Sequence, residues 1–392
     1  MAHTDIMDPI HGFIRLDECE REVADSGTFQ RLRRIRQLSG AHFVYPAAQH
    51  TRFEHSLGVM HIAGLAGSAL AASGDVPAGA TRVLRLAGLL HDVAHGPFSH
   101  LFEEVEGGAS HEEAGRQVIT RSEIGEILSR HGVAARQVAD VAFGRSGKGH
   151  LNEVISGALS ADMMDYLLRD GYFTGAEHAR IDHRRITGSL RVRRGRLALE
   201  RSALRSFESM VISRYQMFRA VYFHKTVRAA NVVLADALRD AAQELGPLGR
   251  STDEYVLSMI ESSDSPSLAR ARRLVASYQA RRLPKCVLDV ALRKEPPGAA
   301  RLRSRIAGEA GVDEGSVFVD STATPSISLA PSKDVQRTLL LSSGRSAEEV
   351  PLSEIPLVSA IAGYMNILRV YSEPSCRKKV EIAAQGVAGG LR

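Results

Sequence analysis

The 392-residue sequence has no tryptophan, three cysteines and only 5% aromatic side chains. Three widely spaced thiols (Cys19, Cys286 and Cys376) cannot form a disulfide scaffold, and their odd number suits a reducing, cytoplasmic setting. Lysine is scarce as well: 7 of the 50 basic residues are Lys and the other 43 are Arg. Arginine presents a planar fork suited to phosphate oxygens. A net charge of +5 is nevertheless too mild to indicate nucleic-acid binding by itself. The start, Met1-Ala2-His3-Thr4-Asp5, lacks the basic and apolar regions of a secretory signal. Ser56 to Gly74 carries no formal charge over 19 residues, about the length of a membrane span. It holds His61, several Gly and Ser and few large apolar residues, so it reads as a buried core helix and the chain as soluble, with no membrane partner. With 44% hydrophobic and 24% charged residues, the composition is that of a globular protein.

Most of the first 290 residues read as helix. Thr28 to Leu38 spaces Phe29, Leu32, Ile35 and Leu38 at three-residue steps, and Arg82 to His91 and Ile155 to Arg169 repeat that habit. Ser189 to Glu200 alternates on both sides of Arg194-Gly195, which predicts a hairpin. A long helix is expected from about Ser202 to Leu245. The composition changes at Glu295-Pro296-Pro297-Gly298, beyond which Ser316–Asp320, Arg337–Leu341 and Asn366–Tyr371 read as strands. The expectation is a mainly α protein: a helical body over 1–295 with a hairpin near 189–200, and a small α+β unit over 296–392 that ends in a loose tail from residue 383. The arginines at 184–185 and 191–196 lack interleaved aromatics, so an exposed basic hairpin is favoured over a nucleic-acid contact.

The chemistry-bearing residues cluster. Six of the 15 histidines lie between His55 and His111. Adjacent His91 and Asp92 follow an apolar helix, where two polar groups are costly unless paired or ligated. If that helix continues, His95 shares a face with His91. His and carboxylate donors together suit Fe, Mn, Zn or Ni. Adjacent residues cannot surround an ion, so further ligands must come from elsewhere, with His55 and Asp162 as candidates. Arg52, three residues before His55, falls on the same helical side. Arg214, Tyr222 and Lys225, at offsets of eight and eleven, would share one face of the long helix, either as a phosphate grip or as a plain solvated face.

Asp8-Pro9-Ile10-His11-Gly12, Phe29-Gln30-Arg31-Leu32-Arg33, Arg52-Phe53-Glu54-His55-Ser56-Leu57-Gly58, His91-Asp92 through Phe102, and Asp165-Tyr166 resemble the HD-domain phosphohydrolases. Within them the likeness is to the deoxynucleoside triphosphate triphosphohydrolase branch, without a sterile-alpha-motif domain. The resemblance implies metal ligands at His55, His91, Asp92 and Asp162, the divalent ion being one of Fe, Mn, Zn, Ni or Mg, with further Mg accompanying the nucleotide. It implies catalytic roles for His95, His100 and His111, with His100 or His111 as the acid and Glu103 orienting it. It implies substrate contacts at Gln37, Leu38, Arg52, Tyr166, Asp170, Arg214, Tyr222 and Lys225. A GTP-type activator site would fall on Asp25, Gln30 and Arg33, and a homo-oligomer, dimer or tetramer, is expected. Two departures stand out: Met163 replaces a phosphate-binding Lys, and Met7 replaces an Asn used by a neighbouring effector nucleotide. The reaction so implied converts a dNTP to a deoxynucleoside and triphosphate. The alternatives are a phosphomonoesterase, phosphodiesterase or nuclease of the same domain type, or a nucleotide-binding regulator with little turnover.

Overall fold

Helix Arg52–Ala72 supplies the centre of the body, because it is apolar nearly all round and can be satisfied only by burial. Leu57, Val59, Met60, Ile62, Ala63 and Leu70 are all at most 2% exposed. The computed structural model describes residues 3–99, 101, 105, 111–245, 249–292, 298–325, 338–361 and 364–389. Among the described residues this is the one helix long and apolar enough to cross a membrane, and 67% of its apolar window is buried inside the fold. It packs along helix Ala80–Leu90, whose Leu84, Leu86, Leu89 and Leu90 are fully buried. Burial of each such side chain contributes roughly 1.5–3 kcal/mol relative to exposure. Helix Ala161–Thr174 crosses the same core.

The chain is mainly helical, with a small α+β region towards its C-terminus. Strands β1 (Thr4–Asp8) and β2 (Gly12–Leu16) form an N-terminal hairpin. The predicted second hairpin is present as β3 (Leu190–Arg193) and β4 (Arg196–Glu200). Its two turn residues, Arg194 and Gly195, both have positive φ (54° and 74°), as a tight two-residue hairpin of this twist needs. Strand β5 (Lys285–Ala291) lies in a three-stranded sheet, β5-β9-β6, with β6 (Val317–Pro325) and β9 (Tyr364–Ser372). Strands β7 (Thr338–Ser343) and β8 (Ser346–Pro351) return to the body, where β7 pairs parallel with β4. The sheets therefore cross the expected division at 295–296 in both directions. Chain composition changes there, but hydrogen-bond pairing decides which strands share a layer.

Four local expectations are corrected. Thr28–Leu38 is not one helix: helix Gly27–Gln30 passes into a 3₁₀ turn, Arg31–Arg34, and Ile35 is extended. Ile155–Arg169 is split, because the Ser160 hydroxyl accepts the Met163 N–H (3.2 Å) and starts a new helix there. The long helix breaks into Leu204–Met217, a π-helical turn Phe218–Tyr222, and Lys225–Leu245. The described part of the tail from residue 383 is not loose, since Arg377–Gly389 is helical and buries Val380, Ala384 and Val387. The basic hairpin is also less bare than its sequence suggests. Arg191 pairs with Glu200, Arg193 with Asp75, and Arg196 with Glu349 on β8.

Candidate active site

Three helix ends meet at one point. Thr51 caps helix Arg52–Ala72, and its N–H donates to Glu54 Oε2 (2.9 Å), so Arg52 and His55 fall in the first turn facing inward. Helix Ala80–Leu90 stops at His91, its C-cap, and so does not carry His95 on the same helical face. Asp162 lies in the first turn of helix Ala161–Thr174. One ligand atom each from His55, His91 and Asp162 lies within 4.8 Å of the others. Asp162 Oδ1 is 3.1 Å from His55 Nε2 and 3.8 Å from His91 Nε2. Asp92 stands at the edge of the group, its Oδ1 3.3 Å from His91 Nε2 and its Oδ2 3.8 Å from His55 Nε2.

Both imidazoles are oriented from behind. His55 Nδ1 is 2.8 Å from Asp165 Oδ2, and His91 Nδ1 donates to the Gly88 carbonyl at 2.8 Å. Each bond places a proton on Nδ1 and turns Nε2 towards Asp162, the usual backing for a metal-ligating histidine. His91 Nε2 is buried and has no hydrogen-bond partner among the described residues. Burial would hold the His55 imidazole down, but Asp162, Asp165 and Asp92 outweigh it and push its pKa up to about 10. The same centre drives Asp162 and Asp92 well below the usual carboxylate range against the opposing effect of burial. The group thus favours positive charge at its middle, and an orphaned imidazole nitrogen with an adjacent low-pKa carboxylate fits a divalent ion. His55, His91 and Asp162 form a His/Asp metal-binding site, with Asp92 alongside.

Behind it lies a buried ionic layer. Arg169, fully buried, donates to Asp165 through Nε (2.9 Å) and Nη2 (3.0 Å) and to Asp8 through Nη1 (2.8 Å). His11 Nε2 reaches Asp165 Oδ1 at 2.7 Å. Asp8 and His11, in the sequence motif at the start of the chain, therefore brace the acid that orients His55. Gly58 makes room for this layer: a Cβ there would sit 1.8 Å from Asp165 Oδ1. Gly58→Ala is expected to push Asp165 off His55 and weaken divalent-ion affinity by about 10–100-fold, the scale of losing an outer partner, measurable by Mn²⁺ calorimetry.

A cavity of about 390 Å³ opens beside the metal group, with Gln37, Leu38, Arg52, Tyr166, Asp170, Arg214 and Tyr222 on its walls. Arg52 forms a close ion pair with Asp92 through Nη1, and its Nε donates to Ser99 Oγ (2.7 Å). Arg214 Nε donates to the Tyr166 hydroxyl (2.8 Å), while Arg214 Nη1 and Gln37 Oε1 are buried with no hydrogen-bond partner among the described residues. Burial raises the phenol pKa values of Tyr166 and Tyr222, so both stay protonated donors. Tyr222 donates to Asp170 Oδ2 through a short bond, and His50 Nε2 meets Asp170 Oδ1 at 2.8 Å. A larger cavity of about 770 Å³, lined by Pro9, Leu168, Tyr172 and Glu177 among others, holds none of the metal or phosphate-facing residues.

The remaining expectations fall as follows. His95 Nε2 lies 3.1 Å from Asp92 Oδ1. His100 and Glu103 lie outside the described residues, and His111 enters only as the first residue of helix His111–Arg121. Lys225 is exposed and lines a separate cavity with Arg281, Lys285 and Arg377, because the π-helical turn shifts the phase that would have aligned it with Arg214. Arg228 and Asn231, one turn further on, face the 390 Å³ cavity instead. Sequence reading missed both, together with His50 and Ser99. Met163 is buried in the core. Asp25, Gln30 and Arg33 lie outside the cavity. Gln30 donates to the Ala24 carbonyl (2.7 Å), Arg33 donates to Gln30 (2.9 Å), and Asp25 is exposed beside Arg21.

The residues of this centre lie within a stretch that a known family model matches. The HD domain model matches residues 52–170 and the HD associated region model residues 181–387. An uncharacterised protein of Methanocaldococcus jannaschii is 36% identical over 284 residues, covering 68% of this chain and 57% of that one. The chain belongs to the HD-domain phosphohydrolases. The HD domain proper runs from Arg52, at the first ligand turn, to Asp170, at the far wall of the cavity. The deoxynucleoside triphosphate triphosphohydrolase SAMHD1 of Homo sapiens is 26% identical over 367 residues (77% of this chain, 57% of that one), which supports the triphosphohydrolase-like branch of the HD-domain proteins. This HD-domain chain spans 55–60% of the length of the first curated relatives it matches. A crystal structure of a hypothetical protein from Aquifex aeolicus superposes with a TM-score of 0.80 at 28% identity, covering 97% of this chain and all of that one.

Proposed function

We propose that the protein is a metal-dependent hydrolase of deoxynucleoside triphosphates, releasing deoxynucleoside and inorganic triphosphate. The observation that carries this reading is that Arg52, Tyr166 and Arg214 face one cavity beside the His55–His91–Asp162 group. The name of the human relative supports the choice of substrate. In the reaction, water attacks the α-phosphorus, the bond from that phosphorus to the 5′ oxygen breaks, and the departing oxygen takes a proton. A divalent ion held by His55, His91 and Asp162, with Asp92, supplies Lewis acidity and lowers the pKa of water. Arg52 and Arg214 bind phosphate oxygens, with the Tyr166 hydroxyl adding a donor. Tyr222 and Asp170 meet the 3′-hydroxyl, and Leu38 lies against the sugar. Protonation of the 5′ oxygen falls to an imidazole among His95, His100 and His111, with Glu103 orienting it. A GTP-type effector at Asp25, Gln30 and Arg33, a homo-oligomeric assembly and a cytoplasmic setting belong to the same proposal.

One observation favours a second reading. Met163 is buried in the core and contributes no cation to the cavity, which weakens the grip on a triphosphate and suits a smaller phosphate ester. Incubating Mn²⁺-loaded protein with the four dNTPs, with and without GTP, and with dNMPs, cyclic nucleotides and oligonucleotides separates the two. Deoxynucleoside plus triphosphate supports the first reading. Loss of dNMPs or oligonucleotides with intact dNTPs supports the second, and dNMP plus pyrophosphate from a dNTP overturns the stated bond cleavage.

A further inference from the structure

The turn that follows the metal-site residues is held in a costly conformation. Phe98 and Ser99, neither of them glycine, both have φ of 58°. Left-handed backbone crowds a side chain's Cβ, and two such residues in succession persist only where their surroundings hold them. The holding group comes from far along the chain. Asp253, 1% exposed, begins helix Asp253–Ser262, and its Oδ1 accepts the Phe98 N–H at 2.7 Å. Its other oxygen, Oδ2, accepts the Arg36 N–H at 3.0 Å. One carboxylate therefore ties the Phe98–Ser99 turn to the segment that carries Gln37 and Leu38 into the cavity. Ser99 closes the link. Its hydroxyl donates to the Arg36 carbonyl (3.1 Å) and accepts from Arg52 Nε (2.7 Å), while Arg52 holds Asp92.

We infer that Asp253 is a positioning residue for phosphate binding: by clamping the Phe98–Ser99 turn against Arg36, it fixes the Arg52 guanidinium in the cavity. It is not a metal ligand and does not itself line the cavity; it holds the backbone of Phe98, which does, and the Ser99 hydroxyl transmits its effect. This inference rests on the phosphate-binding role proposed for Arg52.

Asp253→Asn keeps the volume but replaces one acceptor oxygen with an NH₂ that cannot receive an N–H. The loss of such a buried acceptor is expected to weaken binding of inorganic triphosphate to the Mn²⁺-loaded protein about tenfold. Amide hydrogen exchange in the 93–99 segment is expected to quicken by a similar factor. Mn²⁺ affinity itself should stay within about twofold, because the carboxylate is no part of the metal group. Ser99→Ala should weaken triphosphate binding comparably, and adding Asp253→Asn to it should cost little more, since both act through one path. Unchanged triphosphate affinity in either single variant, or losses that multiply in the double variant, overturns the inference. Should Asp253→Asn fail to fold, Ser99→Ala alone still decides, since full triphosphate affinity without the hydroxyl removes the link. Should the parent protein bind no triphosphate, the proposed function falls while exchange in 93–99 still judges the clamp, and unchanged exchange in Asp253→Asn overturns it.

Discussion

Asp162→Ala is expected to yield a folded protein that neither retains a divalent ion nor hydrolyses a phosphate ester. The carboxylate serves the metal group rather than the core. Its side chain is about a third exposed (36%), and its close partners are the two ligand imidazoles, at 3.1 and 3.8 Å. Its removal takes away the negative charge that faces both Nε2 atoms and leaves two imidazoles, with Asp92 already paired to Arg52 and His95. Folding loses the favourable placement of an acid in a helix first turn, about 0.3–1 kcal/mol, together with the Asp162–His55 contact. Metal affinity should fall by more than the roughly 10–100-fold typical of losing an outer partner. Metal content by mass spectrometry after gel filtration, read beside a thermal melt, checks this. A variant that keeps a full equivalent of metal contradicts it.

Arg169→Met is expected to have the opposite profile, with a large loss of stability. Arg169 is buried between Asp165 and Asp8, and both acids are themselves buried. Without the guanidinium they lose the buried cation they share, which costs about 3–5 kcal/mol. The pH dependence follows from Asp165. Burial alone would raise its carboxyl, but Arg169, His11 and His55 hold it well below the usual carboxylate range. A depressed folded pKa contributes stability above the unfolded value and loses it as pH falls towards the folded one. The parent protein therefore loses this contribution in acid, whereas the variant, whose Asp165 protonates more readily, has less to lose. The gap between their urea midpoints should be wide at pH 7 and narrow below about pH 4. An equal gap at both pH values would contradict the role given to the pair.

The metal ligands were legible because their chemistry is local. A His-Asp pair at the end of an apolar helix carries its own cost, and the structure brings His91 together with His55 and Asp162, from two other helix ends. The groups that orient them were not legible. Asp8 and His11 meet Arg169 and Asp165 across sequence separations of more than 150 residues, as Asp253 meets Phe98 in the neighbouring turn, and no local pattern marks a carboxylate that a distant donor will choose. Lys225 shows how phase can mislead. Offsets of eight and eleven share a face only on an unbroken helix, and the π-helical turn at Phe218–Tyr222 moved Arg228 and Asn231 into the cavity instead. The helical body could be read from apolar periodicity. The return of β7 to β4 could not, because parallel pairing between remote strands leaves no signature in either one.

The most direct test of the account is product analysis of a single dNTP incubated with chelator-stripped protein before and after Mn²⁺ is restored. The account predicts no turnover without metal and, after reloading, equal amounts of deoxynucleoside and inorganic triphosphate. Turnover that survives complete metal removal, or that persists undiminished in Asp162→Ala, would contradict it.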